Sequence, residues 1–142
     1  MKTVLKTMAA LSLFAALISC KEEPKYKLTD GEWVMIAWQN DEGEEMMLTQ
    51  NRPTLNFTDS ARMNGFAGCN NFMGRYEVKE GEIKIDLGGM TMKMCMDMEI
   101  ENRVVTIMPT VTRFKIDGNQ LILYAGDKEL FRFDNTVVKD GK

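Results

Sequence analysis

Alternation of apolar and polar side chains at every second position is the feature that most restricts this chain. Ile83, Ile85 and Leu87 face one way and Lys84 and Asp86 the other, a period that suits a strand and not a helix. The pattern recurs from Glu32 onward, with turn formers every eight to ten residues. Glu32–Trp38 is apolar on both faces, Leu55 and Phe57 share one face of Pro53–Asp59, and Met63 follows in the next short run. Tyr76 and Val78 lead into a turn at Lys79-Glu80-Gly81-Glu82. Thr112, Phe114 and Ile116 precede Asp117-Gly118-Asn119, a hairpin signal, and Leu121–Tyr124, a turn near Gly126-Asp127 and Leu130–Phe133 complete a meander. Such strands predict a mainly β fold: a compact antiparallel sheet or partly closed barrel. One stretch departs from the rhythm. In Asp97–Met108, the residues Ile100, Val104, Ile107 and Met108 fall at i, i+4, i+7 and i+8, with Glu99, Glu101, Asn102 and Arg103 between them as a polar face. This predicts one amphipathic helix over 97–108, N-capped by Asp97, stopped by Pro109 and packed on the sheet.

The first twenty residues have a different character. Lys2 and Lys6 open them, an apolar run follows from Met8 to Ile18, and Leu17-Ile18-Ser19-Cys20 ends them. A basic start, a short apolar run and a small residue before a cysteine form an export signal. The apolar run is too short to span a bilayer, which takes about 20 residues. The Leu-x-Ser-Cys ending resembles a lipobox, so residues 1–20 are expected to be a lipoprotein signal, with Cys20 acylated as the new N-terminus. The signal carries two lysines and no acid, leaving 16 basic against 21 acidic residues, a net charge of −5. That balance excludes nucleic acid as a partner, since phosphates demand clustered Lys and Arg. Attachment to the membrane therefore falls to the acyl chains. Residues 21–30 are expected to be a charged tether, 31–135 the single domain and 136–142 a C-terminal tail. Cys20-Lys21-Glu22-Glu23 also resembles a surface-export signal of outer-membrane lipoproteins, with a solvated linker free of sorting content as the alternative; the expected location is the cell envelope, on the outer membrane, with the face it occupies left open.

The chain has no histidine. That removes Ser-His-Asp and Cys-His nucleophile systems and His-ligated zinc, and two cysteines besides Cys20 are too few for an all-Cys site. No Gly-rich phosphate loop is present. Carboxylates are plentiful, but Asp41-Glu42-Gly43-Glu44-Glu45 reads as a solvated loop. No catalytic residue and no cofactor are expected. Cys69 and Cys95, an even pair in an exported domain, predict a disulfide closing a 27-residue loop; two packed, reduced thiols are the alternative. Met90, Met92, Met94, Met96 and Met98 alternate around Cys95, and period two would place successive methionines on one strand face. Met92, Met94, Cys95 and Met96 then form a candidate site for a soft cation, Cu(I) or Ag(I). The competing reading makes these methionines core fillers where sheet meets helix, and thirteen methionines spread along the chain favour it. Gly65 to Tyr76, rich in Gly and Asn, reads as a tight crossing between strands with Cys69 pinned within it.

On these residues the chain resembles the META domain, the HslJ-like family of small envelope proteins. Gly68-Cys69-Asn70-Asn71-Phe72-x-Gly74-x-Tyr76 is close to the family's Gly-Cys-Asn-x-Phe-x-Gly-x-Tyr segment. Met90-Thr91-Met92-Lys93-Met94-Cys95 follows the family's downstream Thr and Cys; Trp33, Pro53-Thr54-Leu55-x-Phe57 and Ile116–Leu121 also fit. The resemblance implies an antiparallel β-domain with one helix, motif residues Gly68, Asn70, Gly74, Tyr76 and Thr91, and no catalytic residue. It also implies an association with heat shock, envelope stress, drug tolerance or secretion. The density of methionine around Cys95 departs from the family pattern. The expected function is a non-catalytic envelope lipoprotein supporting envelope integrity or stress tolerance through an unidentified protein or lipid partner. Soft-metal binding, and small-ligand binding at a barrel mouth, stand as alternatives.

Overall fold

Side-chain alternation sets the inner face of each strand. The elements run β1 (Glu32–Gln39), β2 (Glu45–Met47), β3 (Thr54–Phe57), β4 (Arg62–Phe66), β5 (Asn71–Lys79), β6 (Glu82–Met90), α1 (Glu99–Ile107), β7 (Arg113–Asp117), β8 (Gln120–Ala125) and β9 (Lys128–Asn135). β1 buries Trp33, Met35 and Ala37, β3 buries Leu55 and Phe57, and β6 buries Ile83 and Ile85, the faces the sequence pattern picks out. The computed structural model describes residues 24–137. The expected signal, the lipidation site Cys20, residues 21–23 of the tether and residues 138–142 of the tail lie outside the described residues.

Neighbouring strands pair antiparallel in the order β2-β1-β3-β4-β5-β6-β7-β8-β9, and β9 pairs back onto β1. One edge of β1 is shared: Glu32–Val34 pairs with β3 and Ala37–Gln39 with β2. All strands but β2 therefore close a ring, and β2 is a flap on its rim. The ring is thinnest between β6 and β7, where Glu82 and Arg113 are the registered pair. A 3-10 turn over Met108–Thr110, directly after α1, packs against β6 beside this seam. The fold is thus the expected partly closed barrel with one packed helix. Trp33, Met35, Leu55, Met63, Val104, Met108, Leu121, Leu123, Phe131 and Phe133 are fully buried in one continuous cluster. Each such side chain contributes roughly 1.5–3 kcal/mol relative to exposure.

Three boundaries differ from the sequence reading. The helix starts at Glu99, with Met98 rather than Asp97 at the N-cap, although the Asp97 carboxylate still accepts the Glu99 N–H at 2.9 Å. The α-helix ends at Ile107, before Pro109 as expected, and the winding continues as a 3-10 turn in which the missing Pro109 N–H costs no helix bond. The tether ends sooner than residue 30. Tyr26 is 4 % exposed and stacks edge-on against Trp33, and Leu28 accepts the Trp33 indole N–H at 2.8 Å. One aromatic and one leucine inside a charged stretch suffice to dock it. The tail is likewise tied at its start, with the Thr136 N–H donating to the Glu32 carbonyl at 3.0 Å and the Tyr26 hydroxyl to the Val137 carbonyl at 2.9 Å.

Candidate functional site

The chain leaves β4 and turns at Gly68, whose φ is +122°; a Cβ there would lie 2.6 Å from Ile100 Cγ2. Only glycine lets this loop press so closely on α1. The contact aims the amides of the next two residues at Glu101. Its Oε2 accepts the Cys69 N–H at 3.1 Å and the Asn70 N–H at 2.5 Å, and its Oε1 accepts Asn70 Nδ2–H at 2.7 Å. Glu101 is 5 % exposed. A carboxylate so placed would cost several kcal/mol without partners, and these charge-assisted bonds satisfy it. Asn70, 2 % exposed, passes the network on. Its Oδ1 accepts the Thr91 hydroxyl at 2.9 Å and the Lys93 N–H at 2.7 Å, while Nδ2 also reaches the Lys93 carbonyl at 3.0 Å.

Those bonds hold the segment after β6. Thr91 is anchored through its hydroxyl and through its N–H to the Asn71 carbonyl at 3.0 Å. Lys93 is anchored through its backbone, and Cys95 through a disulfide to Cys69 with Cα atoms 6.1 Å apart. The disulfide alternative is the one present. Residues 91, 93 and 95 are thus tied to the 69–70 loop, while Met92 and Met94 between them and Met96 after them are exposed at 89, 89 and 108 %. Both readings of the methionine run change in part: Met90, at the end of β6, packs against the core as the filler reading expects, and the exposed residues beyond it do not. The run is not a strand, since β6 ends at Met90, and Met92, Met94 and Met96 fill no core. Cys95 leaves the candidate soft-metal set as well, because its sulfur is bonded to Cys69.

The motif residues divide between two places. Gly68, Asn70 and Thr91 converge on Glu101, whereas Gly74 and Tyr76 serve the β4–β6 wall. A Cβ on Gly74 would lie 2.4 Å from the Asp86 carbonyl oxygen across the β5–β6 ladder. The Tyr76 hydroxyl donates to the Thr58 carbonyl at 2.7 Å, its ring edge-on to Phe57. Burial first, and the Asp59 carboxylate second, push this phenol above its ordinary range.

On the opposite flank of α1, Arg103 bonds the Asp41 carboxylate at 2.6 Å and the Gln39 carbonyl at 2.7 Å, and its guanidinium lies 5.2 Å from the Trp38 ring centre. The Arg103 hydrogen bond and charge hold the Asp41 carboxyl below its usual range. The acidic loop is exposed over its whole length, as expected, and its first residue also ties β1 to α1. Gln39 ends β1, whereas the Tyr26–Val137 contact lies beside Glu32, which begins it. An eight-residue strand separates these ends by roughly 23 Å.

Glu101 is the residue that sequence reasoning missed, having been assigned to the polar face. At 100° per residue it projects only about 20° beyond Met108, at the border of the apolar arc, and that placement was the available signal. Among the described residues no group of three or more Cys, Asp and Glu side chains is arranged to hold a metal ion. Shallow grooves on the outer wall are lined by Arg62, Arg75, Tyr76, Lys84 and Asp86, while the barrel's centre is occupied by aromatic and aliphatic side chains.

A ring of antiparallel strands with one helix across its end is a shape shared with several solved proteins. One from Burkholderia xenovorans, solved by NMR, superposes with a TM-score of 0.66 at 25 % identity, covering 78 % of this chain and 85 % of that one. A DUF4847 family protein from Bacteroides vulgatus matches with a TM-score of 0.54 at 12 % identity over 77 % of this chain and 94 % of its own. A lipocalin-like protein from Bacteroides uniformis matches with a TM-score of 0.50 at 17 % identity over 76 % and 99 %. The last two show likeness of fold alone. No curated protein matches the chain. The META domain family model matches residues 26–137, and the chain belongs to that family.

Proposed function

We propose that this META-domain protein is a non-catalytic lipoprotein of the cell envelope, held to the outer membrane by acyl chains on Cys20, and that it supports envelope integrity or stress tolerance through protein or lipid contacts. The observation carrying this reading is the position of Tyr26. Tyr26, the first buried side chain among the described residues, lies six residues after Cys20, so an extended connection between the two reaches about 20 Å at most. Acylation would hold the barrel close to the bilayer by its Tyr26–Val137 end and leave the α1 end facing outward. The net charge of −5 expected after the signal is removed gives no attraction to anionic lipid and leaves attachment to the acyl chains. Against catalysis stands the lack of any imidazole. The buried carboxylate Glu101 also has both oxygens committed to amides. The ligand-binding reading needs an open barrel mouth, and Trp33, Phe131 and Phe133 fill the centre instead.

Metabolic labelling with palmitate tests the proposal, with the wild type compared to Cys20→Ala and a deletion strain challenged with detergent. The wild type should carry label, sediment with membranes and restore tolerance, while Cys20→Ala should do none of these. An unlabelled wild type, or full complementation by Cys20→Ala, would overturn it. Protease added to intact cells then reports whether the domain faces the surface.

A further inference from the structure

We propose that Met92, Met94 and Met96 form a thioether site for one soft monovalent cation, Cu(I) or Ag(I). Thr91, Lys93 and Cys95 are each fixed to the Asn70–Cys69 loop, by a hydroxyl, by backbone bonds and by the disulfide. Met92 and Met94 lie between these anchors and Met96 directly follows the last of them, and all three side chains are left in solvent. Where the chain is extended, side chains two residues apart project about 6–7 Å from one another. Methionine, with three rotatable bonds and a polarisable sulfur, can close that distance.

Near-complete exposure of all three side chains means that they contribute nothing to the core; burial elsewhere in the chain takes up Met35, Met63 and Met108. Three uncommitted thioethers on an anchored backbone are soft donors with no competing hard ligand in the set, which selects monovalent copper or silver over zinc, magnesium or calcium. With Cys95 held in the disulfide, no thiolate takes part. A thioether binds no proton in the ordinary range, so affinity is independent of pH where a thiolate or carboxylate site would weaken. The site does not depend on acylation at Cys20, so its failure and that of the anchor are separable.

The test uses the full chain, oxidised, carrying Cys20→Ala so that no free thiol is present. Ag(I) is titrated by calorimetry and Cu(I) against a competing colorimetric chelator. One equivalent should bind with a Kd in the micromolar range or tighter, equally at pH 7 and pH 5. The variant Met92→Leu/Met94→Leu/Met96→Leu keeps apolar bulk but removes the sulfurs, and should weaken binding about tenfold or more. Replacing the other exposed methionines, Met46, Met47 and Met73, with Leu should leave it unchanged. Absence of binding tighter than millimolar would overturn the proposal. So would undiminished affinity in the first variant, a comparable loss in the second, or a tenfold loss at pH 5.

Discussion

At the end where the described chain begins, closure is shared among several neutral hydrogen bonds: the Thr136 N–H pairs with the Glu32 carbonyl, and the Asn135 side-chain amide and Tyr26 hydroxyl donate to the carbonyls of Asp30 and Val137. At the end covered by α1, a buried carboxylate, a buried amide, a glycine under a helix and a disulfide do the same task. The first kind of closure spreads over many small contacts and tolerates loss. The second concentrates on a few side chains, each left with unsatisfied partners if any one is removed. Segment 91–98 belongs to the concentrated end, and its outward methionines are held by what lies beneath them.

The largest effect should follow from Glu101→Ala, which strands two buried amides and the Asn70 side chain. Urea unfolding should show a loss of roughly 3–5 kcal/mol, and a loss under 1 kcal/mol would break the contrast between the ends. Removing the disulfide as Cys69→Ala/Cys95→Ala should cost about 3–4 kcal/mol in the chain-entropy picture. Hydrogen exchange should then quicken first in residues 91–98 rather than near Tyr26. At the other end Tyr26→Phe removes one hydrogen bond and keeps the ring on Trp33, so about 1 kcal/mol is expected by the same unfolding assay. The smallest effect concerns Asp41. Because Arg103 depresses its carboxyl below the ordinary value of 3.8, its ionised form favours the folded state. That contribution is complete above the unfolded pKa and is lost as pH falls through the folded one. Asp41→Asn should thus lower stability slightly at pH 7, and the difference from wild type should shrink as pH falls from the ordinary carboxylate range through the lowered pKa of the folded state.

The strands were legible in the sequence because periodicity announces them: Leu55, Ile83 and Ile85 fall on inward faces by alternation, while β1, read as apolar on both faces, turns Trp33 and Met35 inward and leaves Val34 and Ile36 half-buried. Tyr26 and Leu28 escaped because two apolar residues among charges leave no period to count. The concentrated end was legible in its parts and not in its wiring. Cys69 with Cys95 could be paired, and Gly68, Asn70 and Thr91 stood out by resemblance. What joins them is Glu101, an acid on a helix flank whose burial depends on which loop happens to lie above it. The methionine run misled for a related reason. Period two was real, but it arose from three anchors facing one loop rather than from a sheet, so the outward row met solvent instead of a core.

A pulse of dilute hydrogen peroxide on the intact, disulfide-bonded protein, followed by mass spectrometric mapping of methionine sulfoxide, tests this account most directly. Met92, Met94 and Met96 should oxidise at least about tenfold faster than Met35, Met63 and Met108, in keeping with their exposure. Equal rates across the two sets, or protection of the 92–96 row, would contradict it.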